Sequence, residues 1–252
     1  MIDFAPAVRF ALLLIRPGML VASAPVFGAA FAPVRVRIGL SILLAVALLP
    51  SVEVPAMLPP VALALAVARE LAIGLALGMA VRALIAGAEF AGHLTGTQIG
   101  LSYGSIVDPI NGVRNNVIAG LYGNLALLVV FAIDGHHALV RTMSASYASM
   151  PIGEGHIDPS LARSVVAMLG LVFVLGVRLA LPVMAALLIV ELALGLVSRA
   201  APAINLFVVA TPVRLVVGLL VLASVLALAP GLVARFSGTA LTMGARTAAA
   251  FR

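Results

Sequence analysis

Apolar runs follow one another from end to end of this 252-residue chain, broken by single charges rather than by polar stretches. Hydrophobic residues make up 63% of it and charged residues 10%, against about 45–50% and about 25% in soluble globular domains. Such a chain folds in a bilayer or inside an apolar assembly, and no stretch is left over for a separate water-soluble module. A helix crossing a hydrocarbon layer of ~30 Å needs about 20 predominantly apolar residues. The uncharged runs mostly fall short: residues 117–133 give 17 and 215–233 give 19, while 38–52 and 54–68 give 15 each. Merging runs across single charges predicts helices near 6–31, 36–50, 58–90, 114–134, 162–198 and 204–235. Pro17, Pro182 and Pro212 fall inside these segments, where each removes a backbone hydrogen bond that a neighbour must replace. The expected fold class is all-α, a multi-helix integral membrane protein with broken, kinked hydrophobic helices, read as one domain over residues 1–252.

The N-terminus has the outline of a secretion signal, but Arg16-Pro17 splits its apolar core after six residues, 10–15, below the ~7–15 that such signals use. The segment is therefore expected to stay in the mature protein. Arginines occur at consecutive connections, so the positive-inside rule assigns no orientation.

The charges inside the apolar segments are Arg16, Arg69, Glu70, Arg82, Glu89, Arg178, Glu191 and Arg214. A charge at mid-bilayer costs about 2.5–3.5 kcal/mol on insertion scales, so these side chains must face protein, water or headgroups. Two readings stand side by side. Each is a helix-end snorkel or an interhelical pair such as Glu70 with an arginine, or else Glu70, Glu89, Arg178, Glu191 and Arg199 form a buried polar seam against partner subunits or a pore.

The least bilayer-like stretch is residues 87–116, where glycine recurs at every fourth position: Gly92, Gly96, Gly100 and Gly104, with Gln98 among them. On a helix this spacing makes a flat stripe that lets another backbone approach closely. Each interior glycine costs about 0.8–1 kcal/mol relative to alanine, a loss that subunit packing would recover; the alternative is a glycine-rich loop with coincidental spacing. Asp108-Pro109 and Asn111-Gly112 then supply turn chemistry. The apolar Ile106, Val107 and Ile110 between them suit either a plain connector or a loop that fills a cavity.

Catalytic chemistry is missing from the pattern. There is no cysteine, and neither HExxH, a GxSxG elbow nor a dinucleotide fingerprint occurs. All 15 basic residues are arginines, scattered singly, which argues against a nucleic-acid groove. Of the four histidines, His93, His136, His137 and His156, the adjacent pair at 136 and 137 is expected to point different ways on a helix, with no ligand following at i+3 or i+4. No metal, cofactor or catalytic residue is expected.

A set of short motifs in fixed order now becomes informative. It comprises Arg16-Pro17, Ala24-Pro25-Val26-Phe27-Gly28, Pro33-Val34-Arg35-Val36-Arg37, Arg69-Glu70 with Gly74 and Gly78, Ala91-Gly92, Gln98-Ile99-Gly100 and Asp108-Pro109 with Gly112. Further along come Asp134-Gly135-His136, Ser146 with Pro151, Ala180-Leu181-Pro182-Val183, and Arg199-Ala200-Ala201-Pro202 with Asn205-Leu206-Phe207 and Pro212. Spread over residues 16–219, they resemble the FliR family of flagellar export-gate proteins and its injectisome relatives, SctT and SpaR. Ala203 and Ala210 stand where the family pattern has glutamine and glycine, which puts any polar contact there in doubt. The Asp-Gly-His form resembles the flagellar branch more than the injectisome one.

The resemblance implies a non-enzymatic subunit of the type III export gate in the bacterial inner membrane and flagellar basal body, packed into a helical assembly with FliP and FliQ. FlhA and FlhB, exported flagellar proteins and membrane lipids would be its other partners, with no nucleic acid and no cofactor. It also implies a plug-like loop over residues 104–116, with Ile106, Val107 and Ile110 filling the conduit and Asp108, Pro109 and Gly112 setting the turn. The rival readings are an injectisome gate subunit and a stand-alone membrane transporter or channel using Glu70, Glu89, Arg178 and Glu191.

Overall fold

The structure, a computed structural model, describes residues 5–28, 32–55, 58–101, 116–153, 158–201 and 206–251. Among them there is no strand; the elements are α1 (Ala5–Ser23), a 3-10 turn (Pro25–Phe27), α2 (Val34–Leu48), α3 (Pro60–Ile99), α4 (Val117–Ala132), α5 (Gly135–Ser149), α6 (Ser160–Ala200) and α7 (Leu206–Ala249). The all-α expectation holds. The segments expected at 36–50 and 162–198 match α2 and α6 to within two residues.

Four departures have physical reasons. The segment expected at 6–31 stops as α1 at Ser23, because Ala24 is extended and Pro25 opens a 3-10 turn. The segment expected at 58–90 runs on as α3 to Ile99, so the first part of the glycine stripe is helical. The segment expected at 204–235 continues to Ala249. There Ser237, Ala240, Gly244, Thr247 and Ala248 are buried, a helical spacing of small and hydroxyl residues that a search for apolar runs passes over. Helix α5 was missing from the expected set altogether. Its buried residues, Gly135, Leu139, Met143, Ser146 and Tyr147, recur at the 3.6-residue period, but serine, threonine and histidine dilute them.

Among the described residues, four helical stretches are long and apolar enough to cross a membrane: Pro6–Ser23, Pro60–Ile99, Ser160–Ala200 and Val208–Ala249. The pair α4 and α5, bent by 66° at their junction, would make a fifth. With 40, 41 and 44 residues, α3, α6 and α7 extend about 60 Å at 1.5 Å per residue. That is about twice the hydrocarbon thickness, so each reaches well beyond what a span requires.

Packing divides the chain into two compact units: residues 1–83, 130–171 and 237–252 form the first, and residues 84–129 and 172–236 the second. In the first unit, α1 lies on α3, where a Cβ on Gly74 would meet the Arg16 carbonyl and one on Gly78 would meet the Ser23 side chain. Pro17 sits inside α1 and frees the Leu13 carbonyl four residues back. The Tyr147 hydroxyl of α5 donates to that carbonyl at 3.1 Å, so the proline is accommodated by a neighbouring helix.

The α4–α5 corner is built by two residues. Asp134 adopts a left-handed conformation, φ 56°, and at Gly135 a Cβ would collide with the Val130 side chain and carbonyl. In the second unit, Phe90 and Phe173 stack edge to face with centroids 5.4 Å apart, and Gly176 leaves room for Phe90.

Candidate functional site

Two constructions hold the chemistry that this fold offers. In the first unit Arg16, on α1, is fully buried and reaches Glu70 on α3, also fully buried. The pair is bidentate: Arg16 Nε donates to Glu70 Oε2 at 2.7 Å and Nη2 to Oε1 at 2.9 Å. Nη1 donates to Ser146 Oγ at 2.7 Å and Nη2 to the Met150 carbonyl at 3.0 Å. The guanidinium carbon lies 4.0 Å from the Tyr147 ring centroid. An ion pair removed from water repays its desolvation only when its remaining donors and acceptors are matched, and here α1, α3 and α5 supply the partners. Next to it, Arg69 donates to the Pro151 carbonyl at 2.8 Å, so Arg69 ties α3 to the segment just after α5 while Glu70 ties it to α1.

The second construction is the α3–α4 crevice. At Gly92 a Cβ would land on the Ala119 backbone, and at Gly96 on the Asn116 side chain. Asn116 caps α4: its Oδ1 accepts from Ile118 N–H at 3.0 Å and Ala119 N–H at 3.3 Å, the role a short polar side chain plays at a helix start. At the end of α3, Gly100 has φ +98°. Its N–H donates to the Thr97 carbonyl at 3.2 Å and the Leu101 N–H to the Gly96 carbonyl at 3.0 Å, the double closure of a Schellman motif. The chain therefore leaves at Leu101 and re-enters at Asn116, which is docked on Gly96. The ends of the intervening segment are held together.

These contacts bear on each expected site residue. Gly92 and Gly96 do permit close backbone approach, but the approach is made by this chain's own α4. Gly100 terminates the helix, and Gln98 is exposed on its last turn. Gly104, Ile106, Val107, Asp108, Pro109, Ile110 and Gly112 lie outside the described residues.

Of the five residues expected to form a seam against partner subunits or a pore, only Glu70 is buried within this chain. Glu70 is buried with Arg16. Glu89, packed on Gly123, is exposed, as are Arg178 and Arg199. Arg178 lies over the Phe236 ring at 5.6 Å, and Glu191 pairs with Arg214 at 3.2 Å with about a third of each side chain exposed. Their burial is thus not supplied by this chain alone, whereas the interhelical pair of Glu70 with an arginine is realised. Composition did not identify Ser146, Tyr147 or Asn116; only their place against α1 and α3 gives them a role.

The expectation that His136 and His137 point apart is corrected. Their ring centroids are 4.1 Å apart, and His137 Nδ1 lies 3.0 Å from Asp134 Oδ1. The ligand atoms of Asp134, His136 and His137 fall within 4.8 Å of one another, because the left-handed Asp134 turns its carboxylate back over the first turn of α5. That set could hold a cation, but it is largely exposed and sits at the positive end of a helix, which disfavours cations.

Comparison with known proteins gives one consistent result. The family model for bacterial export proteins, family 1, matches residues 7–240. The flagellar biosynthetic protein FliR of Escherichia coli (strain K12) is 34% identical over 219 residues, covering 85% of this chain and 83% of that protein. FliR of Pectobacterium carotovorum subsp. carotovorum is 33% identical over 214 residues, covering 84% and 81%, and FliR of Bacillus subtilis (strain 168) is 29% identical over 225 residues, covering 88% and 86%. With a family model spanning nearly the whole chain and relatives matched along most of their own length, the chain belongs to the FliR family of bacterial export proteins.

Proposed function

We propose that this chain is a subunit of the flagellar type III protein export gate in the bacterial inner membrane, where it forms part of the conduit for unfolded flagellar subunits. The match over residues 7–240 to proteins named for flagellar biosynthesis carries the reading. Its role is structural rather than enzymatic: it supplies a wall and a seal, while delivery and energy come from other proteins.

The wall is assembled with FliP and FliQ, and FlhA and FlhB act beside it. Large apolar residues stand exposed along α6, among them Leu188, Ile189, Leu192 and Leu196; such a face is unstable in water and calls for lipid or partner helices. Helices about twice the membrane thickness suit an assembly that carries part of each helix beyond the bilayer. Gln98, Glu89, Arg178 and Arg199, left exposed by the chain itself, are the polar groups available to partner subunits.

The seal is the segment between Leu101 and Asn116. Ile106, Val107 and Ile110 fill the lumen, Asp108, Pro109 and Gly112 set the turn, and the paired closure at Gly100 and Asn116 anchors both ends on one side of the conduit. A clean deletion in the native host, complemented from a plasmid, tests the function: hook and filament protein in the medium should vanish and return with complementation. Normal motility and export in the deletion strain refutes it. Removing residues 106–112 should raise small-solute leakage, and an unchanged seal removes the plug assignment while leaving gate membership standing.

A further inference from the structure

Helices α1 and α2 meet along a groove of about 300 Å³. Leu14, Gly18 and Val21 of α1 and Ile38 and Ile42 of α2 line it, and Arg37 is its one charged residue. Since α1 ends at Ser23 and α2 starts at Val34, Arg37 lies near the connection and the groove runs from it along the hairpin toward Leu14 and Ile42. Ser41, also at the groove, donates its hydroxyl to the Arg37 carbonyl at 2.8 Å and so does not answer the guanidinium.

The polar end is unanswered. Arg37 Nε is buried without a hydrogen-bond partner, and no ion pair reaches Arg37 among the described residues. Residues 4–52 contain no aspartate or glutamate, so neither helix of the hairpin nor its connection carries an anion for it. A guanidinium edge out of water without an acceptor is costly, and the missing partner should be negative. The apolar end decides which anion. At about 300 Å³ the groove is at the low end of ligand pockets and holds too little volume to take in a helix of about 10 Å diameter, but it suits a hydrocarbon chain. One helix of the hairpin, α1, is apolar enough to cross a membrane, and basic pockets between such helices take acidic lipid headgroups.

We propose that the α1–α2 groove holds one anionic phospholipid, its phosphate on the Arg37 guanidinium and one acyl chain lying along Gly18. The test is native mass spectrometry of the full chain, extracted with the subunits that co-purify, after addition of dioleoyl-phosphatidylglycerol or dioleoyl-phosphatidylcholine. The wild type should retain one phosphatidylglycerol and release phosphatidylcholine. Arg37→Gln should lower retention at limiting lipid about fivefold, the effect of one lipid-facing arginine. At Gly18 a Cβ meets nothing within 4 Å, so the Gly18→Leu side chain starts from open space in the trough and should also lower retention with Arg37 intact. A photo-crosslinker at Ile38 should capture lipid. Equal retention of the two lipids, unchanged retention in Gly18→Leu, or capture of protein alone from position 38 overturns the proposal. None of these readouts depends on export, so the gate assignment and the lipid site stand or fall separately.

Discussion

The Arg16 node of the first unit and the glycine crevice of the second fasten helices in opposite ways. In the node, the Arg16 guanidinium meets the Glu70 carboxylate, the Ser146 hydroxyl and the Met150 carbonyl at 2.7–3.0 Å. In the crevice, Gly92 and Gly96 carry no side chain at all, and α4 comes up against the α3 backbone. Apolar surface is abundant on every helix of this chain and cannot by itself specify which helix packs where, since lipid is as apolar as leucine. Directional hydrogen bonds and close backbone fit can specify it; the node uses the first, and the second holds both the crevice and the contact of α1 with α3 at Gly74 and Gly78.

If that contrast is right, the largest effect follows from leaving a charge without its partner. Glu70→Ala strands the buried Arg16 and should cost about 3–5 kcal/mol, read as a collapse of steady-state protein level and of the melting temperature in detergent. The double replacement Arg16→Met with Glu70→Leu should recover much of that loss, because no unpaired charge remains. A single Glu70→Ala as stable as wild type would mean that the node is solvated and not a fastener.

In the crevice the damage should come from added volume. Gly92→Leu drives side-chain atoms into the Ala119 backbone and should cost about 1–3 kcal/mol or more, measured by the same melting experiment. Gly96→Leu meets Asn116 of the same chain, so any loss of partner co-purification in that variant must be judged against its own stability. Gly120, one residue beyond Ala119, faces open space: a methyl group added there would meet nothing within 4 Å. Gly120→Ala should therefore leave the isolated chain unchanged or raise its stability by up to about 1 kcal/mol. A Gly120→Ala chain that is stable but no longer retains its partners would mark that face of α4 as an intersubunit contact.

Smaller effects sharpen the picture. Asn116→Ala removes the α4 cap and should cost about 1 kcal/mol, seen as faster amide exchange at Ile118 and Ala119. Tyr147→Phe leaves the Leu13 carbonyl without its donor and should cost about 0.5–1.5 kcal/mol. Pro17→Ala restores an N–H to α1, so the same Tyr147→Phe change should cost less in that background. Equal costs in both backgrounds would show that the tyrosine does not compensate for the proline.

Much of the fold was legible because bilayer chemistry is written in composition. The core stretches of α2, α6 and α7 follow from apolar runs, and Pro17 was identified as a place where a neighbour must help. The stretches that were missed, α5 and the end of α7, bury Leu139 and Met143 or Ala240 and Ala248 on one face while carrying polar residues on the other. Their signal is periodicity rather than run length. Similarly, the every-fourth-residue glycines announced a close approach, yet spacing cannot say which helix approaches.

By itself, then, the sequence determined the class of the protein, all-helical and membrane-embedded, and through ordered motifs its family; both depend on residue type and local order. Only the tertiary structure decided that Glu70 takes Arg16, 54 residues away, and that Ser146 and Tyr147 complete the node. It alone set Gly92 on Ala119, and it left Arg37 facing an apolar groove. Hydrogen bonds and backbone contacts of this kind act over a few ångströms between segments far apart in the chain, and in a sequence where nearly every helix is apolar, no local pattern distinguishes one possible neighbour from another.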